Sequence, residues 1–165
     1  MSQAGAQIKR TSMELGGNSP FIVTDDADLD RAASDLMRVK FMSNGQMCVT
    51  ANRVFVQGSV YDAFKEKVVE RVRALVVGNG LHGDVDVGPL ISRDAVAGVD
   101  ELVADAVAAG ARILVGGLAA LPEALYAGSF YPPTVLDGAT DDMRIAREEI
   151  FGPVIALFRF ADDEE

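Results

Sequence analysis

The chain has 165 residues, of which 49% are apolar and 24% charged, with 15 basic against 25 acidic side chains. This length and apolar content suffice for the buried core of one domain and exclude a disordered chain. The single cysteine, Cys48, and the single histidine, His82, exclude a disulfide scaffold and a zinc cluster, so no metal site is expected. The net charge of −10 argues against nucleic acid or an anionic membrane as a partner.

No segment of the sequence is typical of membrane insertion or export. The most apolar stretch, Ile113–Pro122, is ten residues long and contains two glycines, whereas about 20 residues are needed to span a bilayer. Met1–Arg10 lacks the layout of a signal peptide. We therefore expect a cytoplasmic protein without membrane contact.

Short apolar runs alternate with segments of helical spacing along the chain. Strands are predicted at Phe21–Val23, Val54–Val56, Ile113–Val115, Thr134–Leu136 and Val154–Phe160, the first of them as a buried strand. Helices are predicted after an N-cap at Asp28 as far as Phe41, over Tyr61–Val76, and over Val96–Val107 with a stop at Gly110. This alternation predicts the α/β class, with a layered, largely parallel open sheet flanked by helices.

Two short patterns resemble ligand-binding loops but lack the required context. Gly78–Gly83 matches G-x-G-x-x-G, yet a helix precedes it where a dinucleotide fingerprint needs a strand, so a plain loop is predicted. Asp26, Asp28 and Asp30 alternate as in a calcium loop, but the sixth and twelfth positions are not the required glycine and glutamate. These acids are better explained as the start of a helix.

Cys48 and Glu14 each have a chemical and a plain structural interpretation. Cys48 follows a polar glycine turn, where backbone N–H groups near Sγ would favour the thiolate and make a nucleophile. Its alternative is a small buried hydrophobe. Glu14 precedes Gly16 and Gly17, whose lack of side chains allows a sharp turn and close backbone approach. It could be a general base or a surface residue.

Three segments together resemble the aldehyde dehydrogenase superfamily. Met13–Asn18 is similar to the family's glutamate motif, Gly45–Cys48 to its cysteine motif, and Glu148–Pro153 to its E-E-x-F-G-P motif. The motifs occur in the family order, and the separation of Glu14 from Cys48 is the one that the family shows. The resemblance extends from about Ile8 to the end of the chain.

The resemblance implies a role for each of five residues. Cys48 would be the nucleophile and Glu14 the base, while Glu149 would hydrogen-bond the ribose of the cofactor, Phe151 would pack near its nicotinamide ring and Leu15 would also contact it. The implied cofactor is NAD or NADP, and the implied partner is a small-molecule aldehyde. The implied reaction is oxidation to a carboxylic acid through a cysteine thiohemiacetal and a thioester.

Within the superfamily, Phe41–Arg53 resembles the succinate-semialdehyde dehydrogenase branch most. That branch has an arginine six residues before the cysteine, where this chain has Met42. A methionine cannot pair with a substrate carboxylate. The branch often has a second cysteine two residues after the first, where this chain has Thr50, so a local disulfide is not expected.

The resemblance also implies an incomplete catalytic domain. Residues 1–14 are interpreted as a stub of a missing cofactor-binding domain and residues 15–165 as a truncated catalytic domain, so weak or no activity is expected from the chain alone. Two alternatives stay open. One is a non-catalytic remnant or interaction module that forms a homo-oligomer or associates with a full-length homologue, and the other is a cofactor-free thiol esterase.

Overall fold

The computed structural model describes residues 2–162, and a five-stranded sheet forms its centre. Met1 and residues 163–165, which the two predicted domains include, lie outside the described residues. The strands are β1 (Ser19–Val23), β2 (Ala51–Gln57), β3 (Arg112–Val115), β4 (Thr134–Ala139) and β5 (Val154–Phe160).

The sheet order is β1-β2-β5-β4-β3. The pairs β1–β2, β2–β5 and β4–β5 are parallel, and β3–β4 is antiparallel. The prediction of a largely parallel open sheet is therefore confirmed, with β3 as its one antiparallel strand among the described residues.

Five α-helices accompany the sheet in the described part of the chain: α1 (Ser2–Gly5), α2 (Leu29–Phe41), α3 (Tyr61–Arg73), α4 (Arg93–Ala108) and α5 (Arg144–Arg147). The Asp28 side chain accepts hydrogen bonds from the backbone N–H groups of Asp30 and Arg31, both at 3.1 Å, which confirms the predicted N-cap of α2. Helix α3 ends at Arg73 rather than at Val76, because the N–H of Val76 donates to the Asp86 carboxylate at 2.8 Å and the chain turns away. No helix of residues 2–162 combines the length and the apolar character that crossing a membrane requires.

Two hydrophobic cores lie on opposite faces of the sheet. Strand β5 contributes to both, because Ile155 and Leu157 pack on one side while Val154, Ala156 and Phe158 pack on the other. Helices α2 and α3 cover the first face, and α4 and α5 cover the second. A strand covered on both faces explains the continuous apolar run that predicted it.

The prediction of a buried first strand is wrong. In β1 only Val23 is buried, and the Ile22 side chain is 63% exposed. Strand β1 is an edge strand of the described sheet, and the second core does not extend over its end of the sheet. Ile22, Phe55 and Phe158 instead line an open cavity of about 490 Å³.

The Gly78–Gly83 segment is a loop, as predicted, with exposed residues at its tip. His82 is exposed on it, which agrees with a solvated side chain. The short helix α5, directly before Glu148, has no counterpart among the predicted elements.

Candidate active site

The predicted site residues lie at one edge of the sheet, at the amino ends of three strands. Glu14 and Leu15 precede β1, Cys48 precedes β2, and Glu149 and Phe151 precede β5. These strands are neighbours and run parallel, so their amino ends meet. All five residues line one cleft of about 420 Å³, which we call the thiol cleft. Ligands of open α/β sheets more often bind at the carboxyl ends of the strands.

Cys48 projects from the cysteine loop, residues 42–50, which connects α2 to β2. Ser43, Asn44 and Gly45 have consecutive positive φ values of 49°, 59° and 76°. This left-handed conformation is unfavourable for residues with a Cβ. A Cβ at Gly45 would overlap the backbone carbonyl of Gly152, so glycine is required there. The loop ends in a turn in which the N–H of Thr50 donates to the Met47 carbonyl at 3.1 Å, and Cys48 is exposed on that turn.

Two side chains attach the cysteine loop to the loop that precedes α4. Asn44 donates to the Pro89 carbonyl at 3.1 Å and accepts from the N–H of Gly88 at 2.8 Å. The Gln46 side-chain oxygen accepts from the N–H of Ile91 at 2.9 Å. The loop over residues 78–91 therefore supports the turn that carries Cys48.

The two glycines of the glutamate motif lie against the other two motifs. A Cβ at Gly17 would overlap the backbone carbonyl oxygen of Cys48, and one at Gly16 would lie 2.7 Å from Oε2 of Glu149. The close backbone approach predicted for this glycine pair is thus observed. It brings the segments of Glu14, Cys48 and Glu149 into direct contact.

Glu14 itself is exposed. Its side chain is therefore in contact with water, as in the surface interpretation of this residue. Residues 9–16 are all exposed and belong to neither a helix nor a strand, so the Glu14 side chain stands at the mouth of the thiol cleft.

A pair of asparagines that sequence reasoning missed connects the three segments behind the cleft. Asn52 is 1% exposed and donates to the Asn18 side-chain oxygen at 2.8 Å. Asn18 in turn donates to the Ala146 carbonyl at 2.9 Å, and the N–H of Ile150 donates to the Asn52 side chain at 3.3 Å. A signal is present in the sequence, because Asn52 shares the alternating inward face of its strand with Val54.

Glu149 and Phe151 form another part of the cleft wall. Oε1 of Glu149 is buried and has no hydrogen-bond partner in the structure. Phe151 has φ of 51° and is 41% exposed. A bulky residue in the left-handed region beside a cleft is the kind of local strain that occurs at binding sites.

The fold and the cleft define an α/β protein with an exposed thiol and two carboxylates in one cleft. The sequence model of the "Aldehyde dehydrogenase family" matches residues 1–165 of this chain. The chain belongs to the aldehyde dehydrogenase family, and the resemblance deduced from the three motifs is confirmed.

Individual relatives agree with this assignment. The chain is 48% identical over 165 residues to a glutarate-semialdehyde dehydrogenase of Pseudomonas putida and 47% identical over 165 residues to the succinate-semialdehyde dehydrogenase [NADP(+)] of Escherichia coli. The crystal structure of a succinate-semialdehyde dehydrogenase from Burkholderia pseudomallei superposes with a TM-score of 0.92 at 47% identity, covering 99% of this chain and 33% of that one. The two curated relatives are likewise matched over all of this chain and 33% of their own length. The chain thus spans about a third of these relatives.

Proposed function

We propose that this chain forms the thiol-bearing part of an NAD(P)-dependent aldehyde dehydrogenase, which oxidises an aldehyde to a carboxylic acid. The observation that supports this function is the convergence of Cys48, Glu14 and Glu149 on one cleft, although they come from distant segments of the sequence. In this proposal residues 1–14 are the end of a cofactor-binding domain, and residues 15–165 are part of the catalytic domain.

Cys48 acts as the nucleophile. Its thiolate adds to the aldehyde carbonyl, so that an Sγ–C bond forms and the π electrons move to the oxygen. Within residues 2–162 the backbone N–H of Cys48 has no hydrogen-bond acceptor. It is therefore free to donate to the developing oxyanion, which is the interaction that stabilises such a transition state.

The wall of the cleft fits the ribose of a nicotinamide dinucleotide. A buried carboxylate oxygen without a donor, such as Oε1 of Glu149, would be satisfied by a ligand hydroxyl. The bare Gly16 leaves room beside the other oxygen of Glu149, and the exposed Phe151 and Leu15 offer apolar surface for a ring. When the oxyanion re-forms the C=O bond, the C–H bond of the former aldehyde carbon breaks and a thioester on Cys48 remains; a bound NAD or NADP would be the acceptor of the departing hydride.

Glu14 acts as the base in the second half of the reaction. It takes a proton from a water molecule whose oxygen attacks the acyl carbon carried by Cys48. The C–Sγ bond then breaks, the thiolate of Cys48 is regenerated, and the carboxylic acid leaves. The exposed position of Glu14 at the cleft mouth is compatible with access to water.

The aldehyde is a semialdehyde in the names of the relatives, and succinate semialdehyde is one candidate here. The charged residues that line the described cleft are Glu14 and Glu149, both acidic. Met42, half exposed in the cysteine loop, supplies no cation. The described residues that line the cleft include no cation to pair with a substrate carboxylate, so the proposal is limited to a small aldehyde.

The test separates the thiol chemistry from the cofactor step. The purified chain is acylated with p-nitrophenyl acetate, and the adduct is located by intact-mass and peptide analysis, beside Cys48→Ala and Glu14→Gln. We expect acylation at Cys48, no adduct in Cys48→Ala, and an adduct that persists longer in Glu14→Gln because water is no longer activated. Equal p-nitrophenol release by the chain and by Cys48→Ala would overturn the proposed roles.

The same samples are then given NAD or NADP with a panel of aldehydes, and reduced nicotinamide is followed at 340 nm. Weak or absent turnover is expected from the chain alone, and any turnover must disappear in Cys48→Ala. Ester hydrolysis that depends on Cys48 in a chain that neither binds nor reduces a nicotinamide cofactor would favour the thiol esterase instead.

A second candidate function, an interaction module, is favoured by the uncovered end of the sheet. Ile22 is 63% exposed and lines an open cavity with Phe55 and Phe158. A contiguous apolar surface of this kind promotes association, and β1 leaves an unpaired strand edge beside it in the described sheet. A second copy of the chain would cover both. Sedimentation equilibrium should then show a dimer that Ile22→Lys weakens, and a monomer at all concentrations contradicts this function.

A further inference from the structure

Lys40 is a fully buried lysine that the proposed reaction does not use. It lies in the last turn of α2, four residues after Leu36 on the helix face that packs into the core, and its side chain is 0% exposed. Its Nζ has no hydrogen-bond partner. A buried, unpaired ammonium is costly, so an apolar residue would be expected at this position unless the charge is needed.

The opposite charge lies in the wall of the thiol cleft. Lys40 Nζ and Glu149 Oε1 are the two side-chain atoms of the described residues 2–162 that are buried without a hydrogen-bond partner. The two groups do not form a direct ion pair within 4 Å. They still attract each other: burial lowers the pKa of Lys40 to about 7, and the Glu149 charge raises it against that effect. Glu149 is the one charged group of residues 2–162 whose field acts on Lys40 in this way.

Glu149 has few other means of support. One carboxylate oxygen is buried without a donor, and the other lies against the bare backbone of Gly16, where a Cβ would be 2.7 Å away. Because no hydrogen-bond donor fixes the direction of this carboxylate, a nearby cation is the group that can hold it in place. Lys40 provides that cation from a fully buried position, where water does not screen its charge.

We propose that Lys40 is a positioning residue for Glu149: its buried ammonium attracts the Glu149 carboxylate and keeps it turned into the thiol cleft, ready to accept a hydrogen bond from a ligand hydroxyl. The identity of that ligand as a nicotinamide dinucleotide rests on the proposed function, whereas the coupling of the two charges does not. Lys40 does not touch the reacting atoms. Its effect on ligand binding passes through Glu149.

The coupling is tested first without any ligand. The chain is labelled with ¹³Cε-lysine, the Lys40 signal is assigned by its absence in Lys40→Met, and its titration is followed by NMR. In Glu149→Gln the titration midpoint of Lys40 should fall below that of the wild type, because the attracting charge is gone. A midpoint one pH unit lower corresponds to about a tenfold change in protonation equilibrium. Glu148→Gln is the matched control, since Glu148 is exposed and paired with Arg144 at 2.8 Å.

An unchanged midpoint in Glu149→Gln, or an equal shift in Glu148→Gln, would overturn the inference. A purely structural role for Lys40 predicts no response to Glu149→Gln, so this readout distinguishes the two roles.

The consequence for binding is tested in a second arm, by calorimetric titration with NAD and NADP. Lys40→Met and Glu149→Gln should weaken binding by similar factors and not additively, while Lys40→Arg, which keeps the charge, should restore part of the loss. If Glu149→Gln lowers the Lys40 midpoint but leaves nucleotide affinity unchanged, the cofactor role of Glu149 fails and the coupling of the charges stands. If Glu149→Gln weakens binding and Lys40→Met does not, the cofactor role stands and the positioning role of Lys40 fails.

Discussion

The backbone of Gly17 lies directly against the carbonyl oxygen of Cys48, so close that a Cβ at position 17 would overlap it. This contact joins the segment that carries the proposed base to the turn that carries the proposed nucleophile. The spacing between Glu14 and Cys48 across the thiol cleft therefore depends on a residue that has no side chain.

Gly17→Ala should displace the cysteine loop, because the overlapping atom is backbone and cannot rotate away. We expect the rate of Cys48 alkylation by iodoacetamide to change at least severalfold and the melting temperature to fall. Gly98→Ala is the control. Gly98 lies within α4, and a Cβ there meets nothing within 4 Å. It should raise stability by roughly 0.5–1 kcal/mol, as expected for alanine in place of glycine in a helix. Equal alkylation rates in Gly17→Ala and the wild type would contradict the described contact.

Asn44 offers a test of how the cysteine loop is held. Its side chain bonds Gly88 and Pro89, and its φ of 59° lies in the left-handed region. Asn44→Gly removes the bonds but tolerates the backbone, whereas Asn44→Ala removes the bonds and also strains the backbone by about 1–2 kcal/mol.

Both variants should therefore alter Cys48 alkylation, and urea unfolding should find Asn44→Ala less stable than Asn44→Gly by about 1 kcal/mol. If the two variants unfold at the same urea concentration, the left-handed conformation at this position is not what the loop requires.

The fold could be predicted from the sequence further than the site could. The apolar run within Val154–Phe160 predicts β5, because a strand covered on both faces needs consecutive apolar residues. The predicted burial of Ile22 is wrong because a short apolar run has the same sequence whether or not another element covers the strand that it forms. Strand order, which brings β1, β2 and β5 side by side, depends on pairing between distant segments that periodicity does not contain.

The motifs predict which residues form the candidate site, but they do not predict the contacts that support those residues. Lys40 continues the apolar stripe of α2 at the correct spacing after Leu36, and only its burial shows that the charge lies inside. The contact between Gly17 and Cys48 is likewise a property of the folded backbone. Both interactions join segments that are distant in the sequence, so they arise only from the tertiary structure.

A buried hydrogen-bond network around Asp137 in β4 should contribute to stability rather than to function. The Tyr61 hydroxyl donates to Asp137 at 2.7 Å, and Arg112 approaches the same carboxylate at 2.6 Å. Burial alone would raise the pKa of Asp137, but the Tyr61 hydrogen bond and the cations Arg112 and Lys65 outweigh it and lower the pKa below its usual value.

Tyr61→Phe should therefore destabilise the protein by about 1–3 kcal/mol at pH 7, the cost of removing one donor from a buried carboxylate. An aspartate with a lowered pKa in the folded state stabilises the fold above its unfolded pKa and loses that contribution as the pH falls through the folded value. The difference between Tyr61→Phe and the wild type should thus shrink as the pH falls below 3.8, the ordinary pKa of an aspartate. Tyr126→Phe, at a 60% exposed tyrosine, is the control and should have little effect at any pH.

Burial of Lys40 predicts an unusual dependence of stability on alkaline pH. Burial lowers its pKa from 10.5 to about 7 in the folded chain. Between pH 7 and pH 10 the unfolded chain therefore binds more protons at this residue than the folded chain does, so the free energy of unfolding rises with pH. The upper limit of this slope for one group is about 1.4 kcal/mol per pH unit.

Lys40→Met removes the group. The free energy of unfolding of the wild type minus that of the variant should therefore rise from pH 7 to pH 9, as measured by urea unfolding. Lys67→Met, at a lysine paired with Asp30 near the surface, should show a difference that is constant over the same range. A constant difference for Lys40→Met as well would mean that Lys40 is protonated throughout and reaches water or a partner in solution.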